Sequence, residues 1–439
     1  MAAKSLDHQT VWRGNHGEMN QNRNWFCAQV GRREHYAIPR ALFAVGALGG
    51  QMTDYWAGSG TRALAGLLST RTTRSLAARR HPDLPGGIVE SWNLRALAWE
   101  AQLRRMTSEG GVAGRYLGHC EVGRNFARAA VRSLRARRSL PENSVFFGYD
   151  TASLEIMEHL KERGLVCVLD QIDPCRVEVE LVQAEQKAWP GWEDHPLDVP
   201  DEFYERHTRE WEVADKVMVN SEFSRQALIQ QGVPSGKIVV VPLCYEATGE
   251  KLKAEMLKTE ILKYSDTGTP FRVLFLGQVI LRKGIQYLVE AARKLKGENI
   301  HFDVVGPIGI SADAVKSAPP NIQFHGRATR DEISRWYRSA HVFVLPTLSD
   351  GFAITQIEAM AYGLPVIATP NCGSVVSDGV DGYLVPPRNP ESLAHVIRRY
   401  LEKPECLVSQ HLAALRKAKQ FSLQRVGAAL LALEKEMHI

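Results

Sequence analysis

Residues 349–369 read SDGFAITQIEAMAYGLPVIAT and indicate the class of fold. An apolar run of strand length, HVFVLP, comes shortly before them, and LPVIAT at their end is a second such run. Between the two runs, apolar residues recur with the three- and four-residue spacing of a helix. A strand, a helix and a further strand in this order are typical of a parallel sheet with crossover helices. The segment therefore predicts an α/β domain.

The entrance to this helix has the composition of an anion-binding turn. Asp350, Gly351 and Phe352 precede the helix, which we expect to open near Ala353. The N-terminus of a helix presents unpaired backbone N–H groups and a partial positive charge, and both suit phosphate oxygens. Glycine at position 351 lets the backbone approach a ligand closely. The aspartate alone says little, because Asp before a helix is usually a simple cap.

Glu358 lies on the apolar face of the same helix. Ile354, Ile357 and Ala361 share this face by their spacing. An ionised carboxylate among apolar side chains is costly unless it is hydrogen-bonded or paired, so Glu358 requires a partner. Hydroxyl groups of a bound ligand are one such partner, and a structural ion pair is the alternative.

Strand-like and helix-like segments alternate through most of the remaining chain, and polar, lysine-rich sequence from about Leu243 to Pro270 interrupts them. A chain of 439 residues is too long for a single core, since cores stop growing at roughly 250–300 residues. We therefore predict two doubly wound, Rossmann-like domains, residues 1–243 and 244–415, and a C-terminal helix, residues 416–439, that could cross back to the first domain. The predicted strands start at Trp25, Gln51, Ser144, Leu165, Lys216 and Lys237, and then at Phe271, Ile300, Asn321, His341 and Leu364.

Ligands of doubly wound sheets bind beyond the carboxyl ends of the strands, so the predicted site is the cleft between the domains. Between Gly60 and Glu142 the pattern is mostly helical.

No apolar run approaches the roughly 20 residues of a membrane-spanning helix, and the polar N-terminus has no apolar run of a secretory signal. We expect the protein to remain in the cytoplasm. The seven cysteines show no CxxC spacing, which favours small buried side chains over a zinc cluster.

Positive charge is concentrated at the start of the chain. Residues 1–140 hold 21 Lys and Arg residues but only 9 Asp and Glu residues. Arg124, Arg128, Arg132 and Arg135 recur at helical spacing and share one face. Such a face could meet an anionic acceptor or the acidic inner surface of a membrane, as a peripheral contact, and a merely solvated face is the alternative. Nucleic acid is not expected, because no aromatic residues are interleaved with these arginines.

Three segments resemble the family 4 glycosyltransferases, retaining enzymes of the GT-B fold. Asp350, seven residues and Glu358, followed by A-x-A-x-G-x-P-V-I-A, are similar to the E-x7-E segment of that family. VLFLGQVILRKGIQYLVEAARKL, from Val273, resembles its strand, G-R-x4-K-G turn and helix, with Gln278 in place of the usual arginine. VMVNSEFSRQALIQQGVPSGKIVVVP, from Val217, resembles its N-S-x-F-S strand and helix.

The resemblance implies roles for individual residues. Glu358 should bind ribose hydroxyls, Lys283 the diphosphate, and Asp350 the hydroxyls of the donor sugar, while Arg282 supplies the charge missing at Gln278. Backbone N–H groups in the turn should meet the β-phosphate or the sugar. The predicted donor-binding residues are Gly277, Gln278, Arg282, Lys283, Gly351, Phe352, Ala353 and Glu358.

In the first domain, the candidates are the carboxylates of VLDQIDPCR. Asp170 ends a predicted strand at the cleft and Asp173 follows three residues later. Either could orient an acceptor hydroxyl, although an aspartate at a strand end is commonly a plain loop residue. Gly31, before a predicted helix, is a further acceptor-side candidate. The predicted catalytic residues are Asp350, Glu358 and Asp170.

Together these features predict a retaining, hexosyltransferase-type glycosyltransferase that moves a sugar from a nucleotide-diphosphate sugar to a hydroxyl acceptor, which could be a glycan, a lipid-linked or a small molecule. The resemblance implies no cofactor and no divalent metal, and the sequence is consistent with this because no DxD lies in an apolar strand. The alternatives are a non-catalytic sugar-nucleotide-binding partner and a GT-B epimerase or phosphorylase. A dinucleotide enzyme is disfavoured, because no G-x-G-x-x-G follows the first strand of either half.

Overall fold

The computed structural model describes residues 25–58, 60–61, 75–136, 140–141, 143–246 and 269–437. Two parallel sheets organise this part of the chain, one of seven strands and one of six. Each sheet is covered by helices on both faces and buries its own apolar core. The α/β, doubly wound architecture predicted from the strand and helix pattern is confirmed.

The first sheet has the order β3-β2-β1-β4-β5-β6-β7, and every neighbouring pair is parallel. Its strands are β1 (Trp25–Gln29), β2 (Leu48–Thr53), β3 (Val89–Ser91), β4 (Val145–Tyr149), β5 (Val166–Gln171), β6 (Lys216–Val219) and β7 (Ile238–Val240). The helices are α1 (Ala37–Ala44), α2 (Asn93–Ala136), α3 (Leu154–Lys161), α4 (Arg176–Ala188), α5 (Asp201–Val213) and α6 (Glu222–Gln230). The order turns back at β1 and β4, which places a crevice at their carboxyl ends.

The second sheet has the order β10-β9-β8-β11-β12-β13, again with parallel pairing. Its strands are β8 (Phe271–Leu276), β9 (Ile300–Val305), β10 (Ile322–Gly326), β11 (Val342–Leu345), β12 (Val366–Ala368) and β13 (Gly382–Leu384). The helices are α7 (Ile285–Lys294), α8 (Ala312–Lys316), α9 (Arg330–Ser339), α10 (Ile354–Ala361), α11 (Pro390–Glu402), α12 (Glu405–Ala418) and α13 (Leu423–Glu436). The switch of order lies between β8 and β11.

Two short edge strands were not predicted. β3 and β13 have three residues each, so they carry too few positions to show a period-two pattern. β2 begins at Leu48, three residues before the predicted strand. The prediction missed these residues because they are Leu-Gly-Gly, and glycine is uncommon in strands. The region between Gly60 and Glu142 is mostly helical where it is described, with a left-handed break at Gly111 (φ 59°) inside α2.

The C-terminal helix α13 packs against the domain that contains the first sheet. It contacts α1, and the indole Nε1 of Trp25, the first residue of β1, donates to Oε2 of Glu434 at 2.8 Å. Gly427 lies at the crossing: a Cβ built there would be 2.9 Å from Cγ1 of Val45 and 3.2 Å from the carbonyl oxygen of Ala41. The two helices can approach this closely because residue 427 has no side chain.

The arginine face of α2 meets carboxylates of the same protein. Arg124 donates to Glu121 and to Glu202, and Arg128, Arg132 and Arg135 line a groove with glutamates of α3. Those glutamates are Glu155, Glu158 and Glu162. Part of this positive charge is therefore balanced within the domain, and contact with a membrane surface stays a prediction. In the described ranges, no helix combines the length and the apolar character needed to cross a bilayer.

Replacing Gly427 by valine should disturb the docking of α13. The added branched side chain would be forced against Val45 and Ala41, and overpacking of this kind costs about 1–3 kcal/mol. Chemical denaturation would measure the loss in the free energy of unfolding. The matched control is Ala428→Val on the exposed side of the helix, and equal loss in both variants would contradict the proposed close crossing.

Candidate active site

The turn between β11 and α10 carries an ion pair at its centre. The ammonium group of Lys283 contacts the carboxylate of Asp350, and both side chains are largely buried, with 12% and 17% exposed. Lys283 ends the single turn of 3-10 helix, Leu281–Lys283, that follows β8. The carboxyl ends of β8 and β11, which are neighbours in the sheet, thus bring together the two charges that the resemblance assigns to the donor.

The backbone amides of this turn are only partly available. The helix begins at Ile354, with Ala353 as its N-cap and no side chain capping it. The N–H of Ala353 donates to the carbonyl of Cys372 at 3.2 Å, and that of Asp350 donates to Asn371 at 2.9 Å. Since Ala353 is engaged with the protein in this structure, Gly351 and Phe352 are the amides of the predicted set that suit a ligand.

Gly351 also lies against the first domain. A Cβ built on it would be 2.5 Å from the carbonyl oxygen of Ile172 and 2.9 Å from Nδ2 of Asn220. These atoms follow β5 and β6, so the turn that enters α10 faces the carboxyl ends of the first sheet. Any side chain here would push the domains apart, which explains the glycine without reference to a phosphate.

Glu358 is partly buried and has a partner that the sequence analysis missed. The hydroxyl of Tyr337 on α9 donates to Oε2 of Glu358 at 2.9 Å. Tyr337 is 1% exposed, and its ring stacks on that of Tyr362 with centroids 5.1 Å apart. This hydrogen bond from a rigid, buried donor fixes the direction of the Glu358 carboxylate. No local signal could identify Tyr337, since the contact joins separate helices.

Arg282 is hydrogen-bonded across the two domains. Its Nη1 atom donates to Oε2 of Glu178 on α4 and to the carbonyl of Ser349, at 3.1 Å each. The hydroxyl of Ser349 also donates to Oε2 of Glu178 at 2.8 Å. Arg282 thus joins the two domains, and its contact with a diphosphate stays a prediction. Gln278 is exposed beside this turn.

A second carboxylate of α4 also joins the domains. Glu185 is 1% exposed and accepts hydrogen bonds from Gln286 Nε2 at 2.8 Å, Tyr287 Oη at 2.8 Å and Arg388 Nε at 2.5 Å. All three donors belong to the second domain. A buried carboxylate without partners is strongly unfavourable, so these three hydrogen bonds stabilise the arrangement in which the two domains bury Glu185.

Acidic side chains gather at the carboxyl ends of β4 and β5, opposite the donor-side turn. Asp150 accepts from Gln171 Nε2 at 3.0 Å and from the N–H of Ile172 at 3.3 Å. Nε2 of His207 lies 3.9 Å from Oδ2 of Asp150. Asp173 accepts from the N–H of Cys175 at 2.9 Å. The two predicted aspartates therefore share this edge with Asp150 and His207.

Asp170 is more deeply buried than a solvent-reachable base would be. It is 2% exposed, and in the described part of the chain its Oδ2 atom has no hydrogen-bond partner. Burial, and then the charges of Glu34 and Asp150, raise its pKa well above the usual value. Asp170 is consequently suited to donate a hydrogen bond as a neutral acid rather than to accept a proton as a carboxylate.

Glu34 is an acceptor-side candidate that the sequence analysis missed. Burial raises its pKa to about 7, and Arg33 opposes this shift. Glu34, His35 and Tyr36 are consecutive non-glycine residues in the left-handed region, with φ of 49°, 53° and 62°. Backbone strain of this kind persists at functional sites. Gly31, three residues earlier, has φ 75° and donates its N–H to Oδ1 of Asp54 at 2.8 Å, so it shapes the same turn.

The comparisons with known proteins agree with this geometry. Residues 270–403 match the family model described as glycosyl transferases group 1. The D-inositol 3-phosphate glycosyltransferase of Streptomyces bingchenggensis is 35% identical over 30% of this chain and 28% of its own length. The amylovoran biosynthesis glycosyltransferase AmsK of Erwinia amylovora is 26% identical over 55% of this chain and 58% of its own. The resemblance to family 4 glycosyltransferases is confirmed.

Solved structures extend the likeness to both domains. HepE of Anabaena, in complex with UDP, covers 94% of this chain and 99% of its own at a TM-score of 0.58 and 15% identity. Sucrose-phosphate synthase of Thermosynechococcus elongatus covers 95% of this chain and 99% of its own at 0.59 and 16% identity. The architecture is GT-B, as predicted. The alignments with the first curated relatives span 23–28% of those proteins' lengths.

The buried pair of His207 and Asp150 should make stability depend on pH. Burial by itself lowers the pKa of His207, but the carboxylates of Asp150, Glu210 and Asp173 raise it to about 9 from 6.5. The stabilisation is then complete below pH 6.5 and disappears as the pH rises from 6.5 through about 9. A shift of this size corresponds to about 3 kcal/mol.

In His207→Gln, the fall in the free energy of unfolding over this pH range should vanish. Urea titrations at a series of pH values would measure it. His395→Gln, at an exposed position of α11, should keep the wild-type profile. A wild-type stability that stays constant over this range would contradict a charged His207 in the folded protein.

Proposed function

We propose that this protein transfers a sugar from a nucleotide-diphosphate sugar to a hydroxyl group of an acceptor, with retention at the anomeric carbon. The observation that carries the proposal is the grouping of three features around one helix. The Lys283–Asp350 pair and the amides of Gly351 and Phe352 lie at its N-terminal end, and Glu358 lies in its second turn. These groups match the successive parts of such a donor.

On the donor side, each group has a chemical counterpart. Lys283 supplies a cation for the diphosphate, which releases Asp350 to accept hydrogen bonds from the sugar hydroxyls. The helix N-terminus adds its partial positive charge to stabilise the negative charge that develops on the departing phosphate. Glu358, with one oxygen fixed by Tyr337, accepts from ribose hydroxyls.

A uridine nucleotide is the donor class that we favour. Support comes from the solved GT-B proteins of similar architecture, since HepE carries UDP in one structure and UDP-glucose in another. The identity of 15% in both cases leaves the base and sugar of this chain's own donor as a proposal.

The acceptor is proposed to lie against the acidic edge of the first sheet. Glu34, with a pKa of about 7, has the strength that suits transfer of a proton near neutral pH. Asp170, when neutral, can donate a hydrogen bond to an acceptor oxygen. A retaining reaction on one face also lets the departing phosphate oxygen take the acceptor's proton, so Glu34 would assist by positioning rather than by complete proton removal.

Glu358→Ala should weaken donor binding. The variant removes charge-assisted hydrogen bonds worth about 1.5–3 kcal/mol each, or roughly 10- to 100-fold in affinity. Isothermal titration with UDP and UDP-sugars would measure the loss. The control is Glu402→Ala at an exposed position at the end of α11, which should bind as the wild type does.

Tyr337→Phe tests the positioning of Glu358 without removing it. We expect a smaller decrease in donor affinity, with the folded state retained. Undiminished affinity in both variants would exclude Glu358 from the donor site. Tight donor binding by the wild type without turnover toward any hydroxyl acceptor, and without epimer or free sugar from donor alone, would instead identify a non-catalytic binding protein.

A further inference from the structure

A cluster of two histidines and one aspartate lies on the outer part of the second sheet. His301 and Asp303 are two residues apart on β9, so their side chains leave the same face of the strand. His325, near the end of the neighbouring strand β10, reaches the same point. The cluster shares no residue with the donor-side set and does not depend on the proposed function.

We propose that His301, Asp303 and His325 bind a divalent transition-metal ion, Zn2+ foremost. Their candidate ligand atoms, two imidazole nitrogens and one carboxylate oxygen, all lie within 4.8 Å of one another. Two imidazoles and one carboxylate form a donor set that Zn2+ and its neighbours prefer, with further positions left for water.

The distances within the cluster fit a shared ion. Oδ1 of Asp303 is 2.9 Å from Nε2 of His325 and 3.4 Å from Nε2 of His301. Bonds of about 2.0–2.1 Å in a tetrahedral zinc site separate the ligand atoms by roughly 3.3–3.4 Å. The two carboxylate-to-imidazole separations are close to this value, and the two imidazole nitrogens lie within 4.8 Å of each other, so rotation of the two rings can admit an ion.

Neighbouring groups hold the three ligands in place. Nη2 of Arg272 donates to the other oxygen of Asp303, Oδ2, at 2.7 Å, which leaves Oδ1 directed at the histidines. The Trp336 ring packs on His325 with centroids 4.3 Å apart. Partners that orient metal ligands in this way contribute to affinity. An ion here would join the edge strand β10 to β9, which is a structural role.

An ion can reach the cluster from solvent. Asp303 is only 2% exposed, but the side chains of His301 and His325 are 28% and 19% exposed. The competing explanation is that Arg272 and the two histidines only neutralise the buried Asp303. The two explanations predict different results when an imidazole is replaced by a group that can still donate to Asp303. If the cluster binds a metal ion, its affinity for the ion falls, whereas simple neutralisation of Asp303 involves no such affinity.

The experiment uses the full chain, freed of metal with EDTA, and follows Zn2+ binding by isothermal titration and Co2+ binding by its visible absorption. We expect one strong equivalent, weakened at least tenfold in His301→Gln and in His325→Gln. Glutamine retains a donor for Asp303 but removes the imidazole. His395→Gln, at an exposed position on α11, should bind as the wild type does, which controls for weak binding by the other histidines.

Thermal unfolding separates metal binding from damage to the fold. In EDTA the glutamine variants should unfold at the temperature of the wild type, and Zn2+ should raise the midpoint of the wild type alone. Equal affinity in all variants, or the absence of a strong equivalent, would overturn the proposal. If the variants fail to fold, X-ray absorption spectroscopy of the zinc-loaded wild type tests the site instead. Two imidazole ligands on the zinc ion would support the site, and a zinc ion without imidazole ligands would refute it.

Discussion

The cleft between the domains depends on carboxylates of α4 whose hydrogen-bond donors lie in the other domain. Glu185 is almost completely buried, and it accepts hydrogen bonds from three residues of the second domain, Gln286, Tyr287 and Arg388. Glu178 is similarly bound by Arg282 and Ser349. Removing a carboxylate from water costs several kcal/mol unless such bonds replace the lost hydration. The arrangement of the two sheets is therefore specified by charge satisfaction as well as by apolar contact.

This constraint determines what the cleft contains. α4 follows the acidic edge of the first sheet, and its partners Arg282 and Ser349 flank the turn that holds Lys283 and Asp350. The contact of Gly351 with the backbone after β5 brings the same two regions together. Donor-side and acceptor-side groups consequently face each other across a short gap. The donor-side groups belong to one domain and the acceptor-side groups to the other. A change in the angle between the domains would therefore move the two sets of groups apart or bring them together.

The proposed donor-side residues were found in the sequence because they are close together along the chain. Asp350, Gly351 and Glu358 lie within one turn and one helix, so spacing alone relates them. The remaining features required tertiary contacts. Tyr337 reaches Glu358 from another helix. Arg282 donates to Glu178, which lies 104 residues away along the chain. The strained turn at Glu34 has no period or motif, and only its backbone angles identify it.

The amino-acid sequence by itself determined the α/β class, the two sheets and the helix that carries Glu358, because alternating apolar patterns and helical spacing are properties of neighbouring residues. It also showed the resemblance to family 4 glycosyltransferases, through segments that are continuous in the chain. The tertiary structure alone decided which charges remain available, how deeply Asp170 is buried, and that His301, Asp303 and His325 converge. Burial and charge pairing depend on residues brought together from distant parts of the chain, and no local pattern records them.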